Sequence, residues 1–247
     1  MAENKTKQGA PESFESLNKN EAFIVKYKNA IIAGVVILVV AIAGGMIFKS
    51  CQNEKNEKAS TAIAPAQEQI ANVIGSEMYM PDSLLNVQYE MMLNGNDSAA
   101  VVGFKKIADE YSSTKAGNLA NLYAGLCYAG MNKWKEAAEY LEKFDDCDDQ
   151  MVSPAAKAAL GNAYASLNQL DKAVETLKKA AEEADNITVS PQALIQAGEI
   201  LESQNKNAEA LELYKKAENY IDRMPANAQQ QLNRLNIDAY IERASQK

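Results

Sequence analysis

Two arrangements of apolar positions divide this chain. The first is an unbroken run: Ala30 to Phe48 reads AIIAGVVILVVAIAGGMIF, and Lys28 and Lys49 enclose 20 uncharged residues. At about 1.5 Å rise per residue such a run spans roughly 30 Å, one hydrocarbon core, which predicts a transmembrane helix over 30–48. Everywhere else a charge recurs every few residues, and in the second half small and large apolar residues return at a fixed period. That half predicts stacked helices.

The apolar run is too long for the core of a cleaved signal peptide, and no A-x-A-like site follows it. Cys51 invites a lipid anchor, but Phe48-Lys49-Ser50 places a lysine two residues before the cysteine, unlike a lipobox. The tail of 29 residues carries five Lys and four Glu; the portion after the run carries 20 Lys+Arg and 29 Asp+Glu, a net charge of −9. Lysines near the two ends of the run balance, so the tail's basic residues give only a weak preference for a cytoplasmic N-terminus. An acidic domain is also repelled by an anionic leaflet, which favours the far side. Within the run, Ala30, Gly34, Ala41 and Gly45 fall on one stripe, where small residues let a second transmembrane helix approach closely.

The periodic half aligns on a small residue. The first segment has Ala124-Gly125-Leu126-Cys127-Tyr128, then Trp134, Ala137 and Phe144; the second has Leu160-Gly161-Asn162-Ala163-Tyr164, then Leu170, Ala173, Leu177 and Ala180. The third has Ala197-Gly198-Glu199-Ile200-Leu201, then Ala210, Tyr214 and Ala217. Gly125 to Gly161 is 36 residues, Gly161 to Gly198 is 37, and each glycine is followed 12 later by Ala. An upstream half-match uses Ala100, Phe104 and Ile107. Ser153-Pro154 and Ser190-Pro191 predict N-caps followed by proline in the first turn, and Asp97 and Thr114 can start further helices. Asn132, Asn168 and Asn205 fall in the short turns between paired helices, where Asn tolerates left-handed geometry. Gly125, Gly161 and Gly198, with Ala137, Ala173 and Ala210, are the predicted packing points between helices of a pair. A helix at Ala64–Glu77 precedes the repeats, and a polar capping helix is expected at about 226–245.

Composition agrees with an all-α fold: 12 Gly and 6 Pro in 247 residues. It also narrows the chemistry. The chain has no histidine, which removes histidine catalytic triads, metal sites and pH switches. Three cysteines are too few for a four-thiolate zinc site. Net charge of −8 argues against a nucleic-acid partner. No GxxxxGK[ST] or GxGxxG motif points to a nucleotide. No cofactor, metal or small-molecule substrate is expected, and the chain reads as a non-enzyme.

The pattern of small-x-x-aromatic followed by Ala, aromatic and Ala resembles the tetratricopeptide repeat, with two or three extra loop residues per repeat. Leu201 in place of the first-helix aromatic, Phe144 in place of the late small residue and the missing proline after each second helix are departures. In that family the first helix of each pair lines a groove. The resemblance assigns to it Leu119, Leu122, Leu126 and Ala129, then Ala155, Ala158, Asn162 and Ala165, then Gln192, Ile195, Glu199 and Glu202. The first part is apolar and the last acidic, which suits an extended or helical partner segment. Alternatively the chain's own helix near Ala64–Glu77 covers the leucines. Met78, Met80, Met91 and Met92 are expected in the core ahead of an adaptable contact surface. Cys127 reads as a small core residue, Asp145, Asp146, Asp148 and Asp149 as a solvated turn. Asp82-Ser83-Leu84 and Asp97-Ser98-Ala99 resemble short O-glycosylation acceptors of exported bacterial proteins.

The order of parts is a tail (1–29), a membrane helix (30–48), a juxtamembrane linker (49–58) and a helical-repeat domain (59–247). It resembles the YfgM-type ancillary subunits of the bacterial Sec translocon. That resemblance implies a single-pass inner-membrane protein with a cytoplasmic N-terminus and a periplasmic repeat domain. Its partners would be translocon channel subunits and a membrane-anchored chaperone, or secreted clients. A scaffold for envelope assembly or cell division is the alternative.

Overall fold

A computed structural model of the chain describes residues 52–73, 80–96, 101–147, 149–223 and 237–246. The predicted membrane span with Ala30, Gly34, Ala41 and Gly45 lies outside the described residues, as do Cys51, Met78, Asp97, Ser98 and Asp148. Among the described residues no helix is long and apolar enough to cross a membrane. The chain divides into two units, Met1–Glu54 and Lys55–Lys247; the second holds the repeats.

Ten helices follow one another among the described residues. They are α1 (52–73), α2 (Asp82–Asn94), α3 (Phe104–Glu110), α4 (Lys115–Gly130), α5 (Trp134–Leu141), α6 (Val152–Ser166), α7 (Leu170–Ala184), α8 (Ser190–Ser203), α9 (Asn207–Asp222) and α10 (Ile237–Ser245). Helices α4/α5, α6/α7 and α8/α9 are sequential antiparallel pairs. Helix α1 is already helical at residue 52, inside the stretch expected as linker, and its described part ends at 73.

One element departs from the all-α expectation. Gly95–Asn96 (β1) pairs antiparallel with Val101–Val102 (β2), with Gly95 opposite Val102. Gly95 has φ of 90°, and a Cβ there would sit 2.7 Å from the Val101 carbonyl oxygen. Glycine is required at that bend by both conformation and space, and a single glycine among helical periodicity carries no strand signal.

Each helix pair turns in the same way. Asn132, Asn168 and Asn205 have φ of 58°, 58° and 60°. The residue after each donates its amide to the carbonyl five positions back: Lys133 to Tyr128, Gln169 to Tyr164 and Lys206 to Leu201, each at 2.9 Å. The asparagine amides bond three back, to Ala129, Ala165 and Glu202. This is the Schellman arrangement, which satisfies the last carbonyls of the first helix and needs a left-handed residue.

The connections between pairs differ from the sequence expectation. Thr114 caps α4 as expected, accepting from the Gly117 amide at 3.0 Å. Ser153 and Ser190, however, are not N-caps: α6 begins at Val152 and α8 at Ser190 itself. Other side-chain acceptors lie three to four residues ahead of the helix starts. Asp149 accepts from the amides of Met151 (2.8 Å), Val152 and Ser153. Asn186 accepts from Thr188 (2.9 Å) and Val189 (2.8 Å). The two serines are buried and tie the loop together. Ser153 accepts from the Cys147 amide at 2.7 Å, and Ser190 accepts from Asn186 and donates to the Ala181 carbonyl at 2.8 Å. The Asp149 carboxylate reaches the free amides of the first turn of α6, and the Asn186 amide closes the turn ahead of α8, which releases both hydroxyls for the loop.

The apolar residues form three clusters joined end to end. The first gathers α1 to α4 around Phe104, Ile107 and Met92. The second gathers α4 to α7 around Leu141, Tyr164 and Ala173, and the third α7 to α10 around Leu177, Leu194 and Tyr214. Half-buried Leu119, Leu126 and Tyr128 belong to the first and second at once, and Ile200 to the second and third. Each pair therefore completes its neighbour's core, as stacked repeats must.

Candidate functional site

The packing points within pairs are dictated by size. A Cβ at Gly125 would lie 2.6 Å from Leu141 Cγ, one at Gly161 2.7 Å from Leu177 Cγ, and one at Gly198 2.4 Å from the Tyr214 ring. Ala137, Ala173 and Ala210 on the second helices are fully buried. These six residues set how closely the helices of a pair approach, and so where the groove-lining faces point.

At the N-terminal end, α1 packs into the first cluster. Helix α1 buries Ala59, Ile63, Ala66, Ile70 and Val73 in the same cluster as Ala116, Ala120 and Ala124 of α4. The Gln67 amide of α1 donates to the Tyr123 hydroxyl of α4 at 3.3 Å. Leu122 is buried between α4 and the following pair, and Leu119 and Leu126 are half-buried between two clusters. The first repeat's leucines thus face the junction with the following pair, and α1 meets α4 through Tyr123.

The C-terminal end is closed by α10. Arg243 forks onto the Glu202 carboxylate through Nε (3.0 and 3.1 Å) and a second guanidinium nitrogen, and the Tyr214 hydroxyl donates to the same carboxylate at 2.8 Å. The Glu202 side chain is 8% exposed. Tyr240 stacks on Tyr214 with ring centroids 5.2 Å apart. The Glu202 hydrogen bonds raise the Arg243 guanidinium further above its ordinary value, so Arg243 stays charged at any working pH. Ile195 is buried in this same cluster. Glu199 is exposed; its hydrogen bond follows burial as a cause of the raised Tyr240 phenol.

Between the two closed ends lies the middle repeat. Ala155 is exposed and Ala158, Asn162 and Ala165 are half-buried on α6, and Gln192 is exposed on α8. Of the other groove residues assigned from the sequence, Glu199 is also exposed, and Leu119, Leu126 and Ala129 are half-buried. Around them the pairs are tied by polar contacts. The Tyr164 hydroxyl donates to Glu142 at 2.5 Å and holds that carboxyl below its ordinary value, and Lys172 lies 3.8 Å over the Tyr164 ring. Gln204 and Lys206 both reach Asp171, at 3.0 and 3.3 Å. These are positioning contacts between repeats, not a cluster of reactive groups.

The remaining sequence candidates fall as follows. Cys127 is buried, and burial pushes its thiol up from 9.0 to about 12. Cys147 is exposed, and both are free thiols. Asp146 pairs with Lys157 at 3.0 Å, and Asp149 is the α6 cap. Among the described residues no group of three or more His, Cys, Asp or Glu is placed to hold a metal ion. Met92 is fully buried; Met80 and Met91 are half-buried beside one another at the surface of α2. Ser83 is exposed in the first turn of α2. Sequence reasoning missed a cleft between α7 and α9, because its residues come from three helices and share no period.

Comparison with known proteins agrees with this geometry. The structure is similar to a solved crystal structure of the nearly identical tetratricopeptide-like repeats of a Podosopora anserina kinesin light chain, with TM-score 0.54 and 14% sequence identity. The match covers 73% of this chain and 85% of that one, and at that identity it speaks for the fold. No curated protein matches in sequence. A family profile, the tetratricopeptide repeat-like domain, matches residues 21–239. Repeats of this kind typically bind other proteins and are usually non-catalytic. With most of its length inside that match, the chain belongs to the tetratricopeptide repeat-like domain family.

Proposed function

We propose that this protein is a membrane-anchored, non-enzymatic interaction subunit of the bacterial inner membrane, acting as an ancillary component of the Sec translocon. The observation that carries the reading is the extent of the family match. It begins at residue 21, ahead of the apolar run 30–48, and continues through the last repeat pair. An apolar span and a repeat stack that travel together as one family unit support an anchor built into the domain rather than appended to it. In this reading the N-terminus is cytoplasmic and the repeats are periplasmic. The stripe Ala30, Gly34, Ala41 and Gly45 docks on channel subunits, and the repeat domain meets a membrane-anchored chaperone or emerging clients.

The test is affinity purification of the full chain in mild detergent, with mass spectrometry of its partners. Gly34→Leu with Gly45→Leu is the matched variant. Channel subunits and a membrane chaperone are expected with the parent and lost with the variant. Division or envelope-assembly proteins, retained in both, would replace this reading with the scaffold one. Labelling Cys51 with a membrane-impermeant maleimide from each side reads the topology directly.

A further inference from the structure

The cleft lies between α7 and α9, the second helices of the last two pairs, with Leu194 of α8 beneath it. It encloses about 360 Å3, at the small end of the range of roughly 300–1,000 Å3 for ligand clefts. Its floor is aliphatic: Ala181 from α7, Leu194 from α8 and Leu213 from α9. These three are buried members of the third core cluster, so the floor is rigid. Tyr220 forms one wall, fixed by donating its hydroxyl to Asp185 at 2.9 Å.

The rim is basic. Lys178 stands on α7, and Lys216 and Arg223 on α9; Glu182 is the single acidic residue of the lining. Arg223 is partly neutralised, 4.0 Å from Asp185 and 4.4 Å over the Tyr220 ring. Lys178 and Lys216 are exposed, and among the described residues no carboxylate pairs with either. Lys157, Lys172, Lys179 and Lys206 are drawn into pairs, whereas Lys115, Lys135 and Lys215 share with Lys178 and Lys216 the lack of a carboxylate partner among the described residues. Two unpaired cations over an apolar floor, in a portion of net charge −9, form a local field opposite to that of the rest of the surface.

We propose that this cleft docks an acidic, apolar peptide segment of a protein partner. One or two large apolar side chains of the segment sit on Ala181, Leu194 and Leu213, and carboxylates beside them meet Lys178 and Lys216. The volume suits side chains of an extended segment, not a whole helix. The apolar floor supplies the anchor and the lysines supply orientation and association rate. A bilayer surface fits less well, because it would bring Glu182 and the acidic surroundings against anionic headgroups. The proposal goes beyond the translocon reading and does not depend on it, since it requires neither a membrane topology nor a channel partner.

The test uses the full chain in phosphatidylcholine nanodiscs and a fluorescein-labelled peptide, Glu-Asp-Leu-Phe-Glu-Asp, read by fluorescence anisotropy. Two control peptides replace Leu-Phe by Ser-Ser, or all four acids by Lys. The parent peptide is expected to bind, and each control to bind at least about tenfold more weakly. Lys178→Glu with Lys216→Glu should weaken the parent peptide by about tenfold or more and improve the Lys peptide. Both lysines are exposed, and an unchanged circular dichroism spectrum confirms that the variant folds. Equal binding of acidic and Ser-Ser peptides, no binding at all, or an affinity indifferent to the lysine reversal would overturn the proposal. So would association with phosphatidylglycerol vesicles alone, lost in the same variant.

Discussion

At the residue scale, stability rests on a few places where no side chain fits. Gly161 is the clearest, because the obstructing atom is Leu177 Cγ at 2.7 Å, the branch point of a fully buried side chain and not its mobile end. Gly161→Leu is expected to lower unfolding free energy by about 1–3 kcal/mol, measured by urea denaturation, with Gly161→Ala falling between. This steric demand is why the repeats were legible: a glycine followed 12 residues later by alanine leaves a trace in sequence at each turn of the period. The same period placed Cys127 in the core, and it is buried with its thiol pushed up to about 12, whereas Cys147 is exposed. Iodoacetamide at neutral pH should therefore modify Cys147 quickly and Cys127 only after denaturation, read by peptide mass spectrometry. Because the folded-state value of Cys127 is raised, the protonated thiol favours the fold below about 9. That contribution should be lost as pH climbs from 9 towards 12.

At the element scale, the turns separate what a pattern reveals from what it hides. The left-handed asparagines were readable because few residues accept φ near +58°. Asn168→Gly should leave stability nearly unchanged, while Asn168→Val should cost about 1–2 kcal/mol by the same denaturation measurement. The loops between pairs misled, because Ser-Pro is a strong start signal and both serines do lie at helix starts. Asp149 caps α6 and Asn186, 37 residues later, closes the turn ahead of α8, and the exchange of an acid for an amide there obscures the period. Burial alone would raise the Asp149 carboxyl. The Ser153 hydroxyl and the amides of Met151, Val152 and Ser153 outweigh it and hold the group below its ordinary value. A lowered carboxyl stabilises the fold above its unfolded value near pH 4, and that contribution is lost as pH falls below it. Asp149→Asn should keep the cap, since an amide oxygen also accepts from backbone N–H groups, yet flatten this part of the acid dependence. Asp149→Ala should lose about 1 kcal/mol at neutral pH.

At the scale of the whole repeat unit, both ends of the stack are covered by the chain's own helices. Helix α1 buries its stripe in the cluster shared with α4, and α10 is pinned over α8 and α9 by Arg243 on Glu202 and Tyr240 on Tyr214. A repeat stack needs such ends, since an uncovered last pair would expose the apolar residues around Tyr214. Sequence showed that terminal helices were present but not which residues they cover, because the covering contacts join positions 41 apart with no repeat to mark them. The lock on α10 is thus a specific charge pair on a side chain that is itself 8% exposed, and removing one partner leaves a nearly buried carboxylate without its cation. Arg243→Ala is therefore expected to destabilise α10 more than the rest of the unit. Hydrogen exchange monitored by mass spectrometry should show faster exchange in 237–245, and in α8 near Glu202, with α4 to α6 unchanged. Glu202→Gln retains the Tyr214 hydrogen bond and removes the buried charge, so its exchange should rise less than that of Arg243→Ala. Equal exchange in both variants and the parent would mean that the aromatic contact alone holds α10 in place.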